Sequence, residues 1–132
     1  MNYLCIVYAQ DVPGAPSQVD ENAIKDAYIE LDHKLFRQGQ VLMASPLQGR
    51  QTAVSIRYRN GVRTRTDGPY AETKEYVAGF LVISATNMDE AVAIAVEGPF
   101  EGFANFEIRP LLDEKHSKTG QDRSFFFRHA AG

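Results

Sequence analysis

The stretch that decides the fold is Ala53-Val54-Ser55-Ile56-Arg57-Tyr58-Arg59-Asn60-Gly61-Val62-Arg63-Thr64-Arg65-Thr66. Polar and apolar residues alternate on both sides of Asn60-Gly61, which is a strong short-range hairpin signal. Two loop lengths fit. A two-residue loop sets Tyr58 across from Arg63. A three-residue loop through Arg59, Asn60 and Gly61 pairs Tyr58 with Val62, Ile56 with Thr64 and Val54 with Thr66, and keeps one face consistently less polar. The longer loop is the preferred expectation, with Gly61 supplying the left-handed residue it needs. Arg57, Arg63 and Arg65 then share the other face, which reads first as a solvated basic surface and second as an anion site.

Working outward, Tyr3 to Tyr8 is a continuous apolar run of strand formers and is expected as a central strand buried on both faces. Asp11 to Gln18 holds two prolines and a glycine and reads as a loop. Ser17 and Asp20 suit the start of a helix. Ile24, Ala27, Tyr28, Leu31 and Leu35 then recur at helical spacing, predicting a helix over 20–38 closed by Gly39. Ile29 and Phe36 lie off that stripe, as exposed residues or as a second apolar contact such as a subunit interface. Val41 to Ala44 is a short strand closed by Ser45-Pro46.

On the far side of the hairpin, Tyr76 to Ala85 is an apolar strand, and Gly79 inside it signals a bulge or a close backbone approach. Thr86 or Asn87 caps a second helix whose expected buried stripe is Met88, Ala91, Val92 and Ala95. Glu97 to Gly102 is a loop, and Asn105 to Leu111 the last strand. Setting the hairpin aside leaves β-α-β-β-α-β, so the fold class is α+β, a ferredoxin-like split βαβ with a β-hairpin insertion. Two helices on one sheet face leave the other open. A second copy is the simplest cover.

The chain has 132 residues, with 44% hydrophobic, 23% charged and a net charge of −3. That favours one domain and gives no basic footprint for nucleic acid. The single cysteine, Cys5, excludes an intrachain disulfide and fits a reducing, cytoplasmic setting. No apolar run reaches the ~20 residues of a membrane span, and no signal peptide is apparent. The domain is expected over 1–112. A polar tail follows over 113–132, with Phe125, Phe126 and Phe127 docking on the domain or on a partner subunit.

Asp67-Gly68-Pro69-Tyr70-Ala71-Glu72-Thr73-Lys74-Glu75 resembles the signature of the YCII-related (DGPF) family, Asp-Gly-Pro-Phe followed by Ala-Glu-Thr-Lys-Glu, with Tyr70 in place of Phe. The first strand, Gly39 to Leu47, Gly79-Phe80 and Glu107-Ile108-Arg109-Pro110 also resemble it. The resemblance covers about residues 1–112. It implies a homodimeric α+β barrel with a pocket between the sheets or at the rim, and a small-molecule ligand. In the YciI branch it implies enzymes with a His–Asp acid/base pair, and one relative is a dehydrochlorinase acting on a chlorinated aromatic. Other members resemble companions of extracytoplasmic-function sigma factors.

Counting back from Gly39, the family's histidine position holds Tyr28. A phenol titrates near ~10 against ~6.5 for imidazole, so Tyr28 suits a donor or acid better than a base. His33 falls about 140° from Tyr28 around the helix, on the polar face. Asp67 is the leading catalytic candidate, with turn capping as its plain alternative. Glu72 and Lys74 follow as ligand-binding candidates, as does Arg109 on the last strand, which could pair with Asp67 or a substrate carboxylate. Three scattered histidines make no metal spacing, and no phosphate loop or nucleophile elbow occurs, so no metal and no cofactor is expected. Two functions stand nearly level. One is an enzyme-like protein using Asp67 and Tyr28 for lyase or hydrolase-like proton transfer. The other is a non-catalytic dimeric ligand-binding or regulatory module, in the manner of a sigma-factor companion.

Overall fold

The computed structural model describes residues 1–10, 21–98 and 104–131. The expected loop over 11–18, the Ser17 and Asp20 cap and most of the loop before the last strand lie outside the described residues. Among the described residues, six strands and two helices follow in the order β1 (Asn2–Gln10), α1 (Glu21–Arg37), β2 (Val41–Pro46), β3 (Val54–Arg59), β4 (Val62–Asp67), β5 (Glu75–Ser84), α2 (Met88–Ala95) and β6 (Ala104–Pro110). Short 3-10 turns occupy Arg50–Thr52 and Ser124–Ala131.

The main sheet is antiparallel with strand order β2-β5-β1-β6. The first and third strands of the β-α-β-β-α-β core are thus central neighbours, consistent with a ferredoxin-like arrangement once β3 and β4 are set aside. Those two strands make a separate two-stranded sheet.

α1 buries the expected stripe of Ile24, Ala27, Tyr28, Leu31 and Leu35 in whole or part. It ends in a Schellman motif: the Gln40 N–H donates to the Leu35 carbonyl, the Gly39 N–H donates to Phe36, and Gly39 sits at φ 73°. Asn87 caps α2, its side chain accepting the Glu90 N–H at 2.9 Å. The core gathers Tyr3, Cys5, Leu81 and Ile83 from the sheet, Leu35 and Val41, and Ala91, Ile94 and Ala95 from α2.

Three expectations change. The hairpin loop has two residues: Tyr58 faces Arg63, Ile56 faces Arg65 and Arg59 faces Val62. Asn60 at φ 51° and Gly61 at φ 78° are both left-handed, the requirement of a type I′ turn. Alternation misled the loop choice because it presumes one buried face, and this hairpin has none over most of its length. Arg57 consequently lies on the face opposite Arg63 and Arg65. The second change is in α2, whose buried stripe is Ala91, Ile94 and Ala95, leaving Met88 and Val92 exposed. The third is in β1, where Tyr3 and Cys5 are buried on one face while Leu4, Ile6 and Tyr8 on the other are only partly covered. In the tail, Phe127 sits in a cleft with Met1, Asn2, Leu111 and Leu112, while Phe125 and Phe126 are exposed.

Candidate functional site

Two clefts carry most of the chemistry-bearing residues. The first forms where the hairpin ends. Asp67 closes β4, and Gly68 turns the chain at φ 111° with its N–H donating to the Ala53 carbonyl at 2.7 Å. The Ser55 hydroxyl, buried, donates to the Gly68 carbonyl at 2.8 Å. From there the chain runs without regular structure to β5, held by two arginines. Arg57 donates to the Tyr70 carbonyl and places its guanidinium 4.3 Å from the centre of the Tyr70 ring. Arg50 donates to the Thr73 carbonyl at 2.9 Å and lies 4.6 Å over the Tyr76 ring. Each pairing adds a cation–π contact to a charge-assisted hydrogen bond.

Between this strap, the Arg50–Thr52 turn and the end of β1 lies a cleft of about 810 Å³, lined by Asp67, Glu72, Lys74, Arg50, Gln10 and Gln51 among others. It brings together three of the five expected site residues. Two carboxylates face two cations there, an amphoteric lining.

The second cleft, about 650 Å³, opens between α1 and the β2–β5 end of the sheet. Ile24, Ile29, Ala44 and Leu81 supply apolar wall, and Tyr28 and Asp32 project from successive turns of α1, four residues apart and therefore on one face. Glu21 and Lys25 also line it. Burial pushes the Tyr28 phenol above its usual range. Burial also raises the Asp32 carboxyl, and the neighbouring His33 pulls it partly back. Both groups are shifted toward the protonated form.

β2 reaches this site because Gly79 lets it in. A Cβ on Gly79 would stand 2.8 Å from the Ser45 carbonyl oxygen and 3.1 Å from the Pro46 Cα. The close approach expected for Gly79 is therefore against β2, and Ser45, Pro46 and Gly79 all line the cleft.

Tyr28 and Asp67 thus line different clefts. Arg109 lies on β6, opposite Leu4 of β1, and lines neither. Asp32 is the residue sequence reasoning passed over. The available signal is its position one turn beyond Tyr28; the adjacent His33 is exposed.

An uncharacterised protein of Rhizobium meliloti (strain 1021) is 28% identical over 116 residues, spanning 84% of this chain and 92% of that one. Among solved structures, 5-chloro-2-hydroxyhydroquinone dehydrochlorinase (TftG) from Burkholderia phenoliruptrix AC1100, in complex with 2,5-dihydroxybenzoquinone, is similar at 20% identity and a TM-score of 0.44. That likeness covers 92% of this chain and 100% of the other, and no residue role carries across at such a score. The family model of the YCII-related domain matches residues 1–115, and the chain belongs to that family.

Proposed function

We propose that the protein is enzyme-like and acts on a small, largely apolar molecule in the cleft between α1 and β2–β5. In this reading Asp32 exchanges the proton, and the Tyr28 hydroxyl donates a hydrogen bond one helical turn away. The observation that carries it is the pairing of an apolar cavity of ligand size with two titratable groups held toward their protonated forms by burial. A carboxyl raised toward neutrality is better matched to acid/base work than an ordinary surface aspartate. The reaction class is proton transfer of a lyase or hydrolase-like kind. Asp67, Glu72 and Lys74 serve as polar ligand contacts in the other cleft, and Asp67 is not the partner of Tyr28 within one protomer.

The reading includes a homodimer, with the sheet face away from the helices covered by a second copy as a dimeric α+β barrel. Its support is the partial exposure of Leu4, Ile6, Phe80 and Val82, together with exposed Met43 and Val77, on main-sheet strands. Sedimentation showing a stable monomer at micromolar concentration removes this part.

The test of the site is a thermal-shift screen of substituted phenols, quinones and benzoates, followed by calorimetric titration of the hits. Hits are expected to lose affinity at least tenfold in Ala44→Leu, which fills the cleft. Turnover of any hit that reacts is expected to fall in Asp32→Asn and Tyr28→Phe. Hits indifferent to Ala44→Leu refute the site. Tight binding with no turnover in the parent protein refutes the enzyme reading and leaves the ligand-binding module.

A further inference from the structure

The hairpin of β3 and β4 stands apart from the main sheet and carries an apolar stripe in the open. Val54, Ile56 and Tyr58 lie on one of its faces and are 48%, 47% and 69% exposed. Their cross-strand neighbours on that face are Asp67, Arg65 and Arg63. A lone two-stranded hairpin is marginal in water, and stability requires further strands or packing on a helix.

Among the described residues, a second ridge without a packed partner lies on α2. Met88, Val92 and the C-cap residue Val96 recur every four residues and are 36%, 41% and 50% exposed. They form one line along the helix, beside the buried stripe. The two features match in length. Val54 to Tyr58 spans about 13 Å along a strand, and Met88 to Val96 about 12 Å along a helix.

They also match in charge. Residues 54–67 contain four arginines and one aspartate, a net +3. Residues 86–98 contain Asp89, Glu90 and Glu97 and no lysine or arginine, a net −3. Glu90 accepts the Thr86 hydroxyl and Glu97 pairs with Lys34 at 3.0 Å, yet both remain at the surface and contribute to the field there.

We propose that the β3–β4 hairpin is an arm that docks on α2 of a second copy of this chain. The Val54, Ile56 and Tyr58 stripe lies along the Met88, Val92 and Val96 ridge, and Arg63 and Arg65 face Asp89 and its acidic neighbours. Among the described residues of one protomer, the arm's extended contacts are between its own two strands. The same two surfaces on each copy allow a reciprocal, closed exchange with twofold symmetry. This contact is separate from any pairing through the open sheet face and holds or fails without it.

The test uses directed cross-linking. The native Cys5 is fully buried in the core and stays out of the reaction. Tyr58→Cys and Val92→Cys are made as separate proteins, mixed in equal amounts and oxidised, and the products are separated without reductant. The mixture is expected to give at least five times the cross-linked dimer of either variant alone. Raising the salt from about 50 mM to about 500 mM should cut that yield severalfold as the charges are screened. Adding Arg63→Glu and Arg65→Glu to the Tyr58→Cys protein should reduce it to the single-variant level. If Val92→Cys does not fold by circular dichroism, Val96→Cys replaces it. A mixture that cross-links no better than its components overturns the proposal, and so does a yield unchanged by the charge reversal. Loss of the sheet-face dimer in a separate Val82→Glu protein, with the cross-link retained, supports the arm contact as independent.

Discussion

Gly79→Ala is the sharpest test of how the apolar cleft is built. Gly79 pairs with Val7 on one side and Pro46 on the other, so β5 cannot slide away from both neighbours. The added methyl would stand 2.8 Å from the Ser45 carbonyl oxygen and 3.1 Å from the Pro46 Cα, both backbone atoms. Ordinary contact begins near 3.4 Å, so β2 must retreat by several tenths of an ångström. Overpacking of this kind costs about 1–3 kcal/mol. Alanine recovers about 0.5–1 kcal/mol over glycine inside a strand, because glycine loses more freedom on folding. The net expectation is a loss of about 1–2 kcal/mol. An unfolding entropy of ~2.1 cal/mol/K per residue over 132 residues makes each kcal/mol worth about 3.5 °C, so the melting temperature should fall by about 4–7 °C. Differential scanning calorimetry reads the shift, and urea unfolding with an unchanged slope confirms that the native state is what changed. Because Ser45, Pro46 and Gly79 all line the cleft, the retreat should also weaken small-molecule binding there. A Gly79→Ala protein that melts at or above the parent refutes the reasoning, since the β2–β5 approach would then be soft enough for the backbone gain to win.

Three further outcomes follow from particular groups. Asp32→Asn should stabilise the fold at neutral pH: burial raises the Asp32 carboxyl, so the folded state favours its protonated form and bears a cost once it ionises. That gain should vanish as pH falls below the ordinary carboxylate range, and an unfolding series showing no such convergence counts against a buried Asp32. Burial pushes the Cys5 thiol up to about 11 from 9.0, so the fold has its full support below pH 9 and loses it as pH rises through about 11. The same decline in a Cys5→Ala protein would refute this assignment, as would rapid labelling of Cys5 by a thiol reagent under native conditions. Gly61→Val forces a branched side chain into φ 78°, at a cost of about 1–2 kcal/mol in the turn. Amide exchange should speed in β3 and β4 far more than in β1 or β5, and uniform acceleration would mean that the hairpin and main sheet unfold as one.

Much of the frame was legible because periodic burial writes itself into sequence. The α1 stripe, the Gly39 stop and the Asn87 cap each rest on local chemistry, and local chemistry is what the structure repeats. The misreadings share a cause. The three-residue loop would give the hairpin one less polar face, but neither face of that hairpin is packed along its length, so no burial selects it. The expected α2 stripe shares Ala91 and Ala95 with the structure but takes Met88 and Val92 where the structure buries Ile94, because the close approach to the sheet is made by the small residues and selects the face they share with Ile94. The separation of Tyr28 from Asp67 was invisible because it depends on where a strap of irregular backbone runs. Asp32 was hidden because a carboxylate on a helix flank looks the same whether the groove beside it is filled or empty.

The feature that ties the apolar cleft to the sheet is a single extra residue. β1 and β5 stay in step from Asn2–Ser84 to Val7–Gly79, then Tyr8 pairs with Val77, leaving Ala78 as a bulge. The carbonyl of that bulged residue accepts the Leu47 N–H at 2.8 Å, which fixes the exit of β2 just past Pro46. A bulge kinks its strand and re-aims the residues beside it. Past it, Val77 follows Tyr8 onto the face away from the helices, where it is exposed. Ala78 meanwhile lines the cleft with a side chain too small to fill it. One inserted residue thus leaves an apolar hollow under α1 and adds an apolar residue to the face opposite. The wall of the proposed site and the surface proposed to pair two copies thus both draw on residues beside this irregularity in β5, and Gly79, its immediate neighbour, is closed in by the backbone of Ser45 and Pro46.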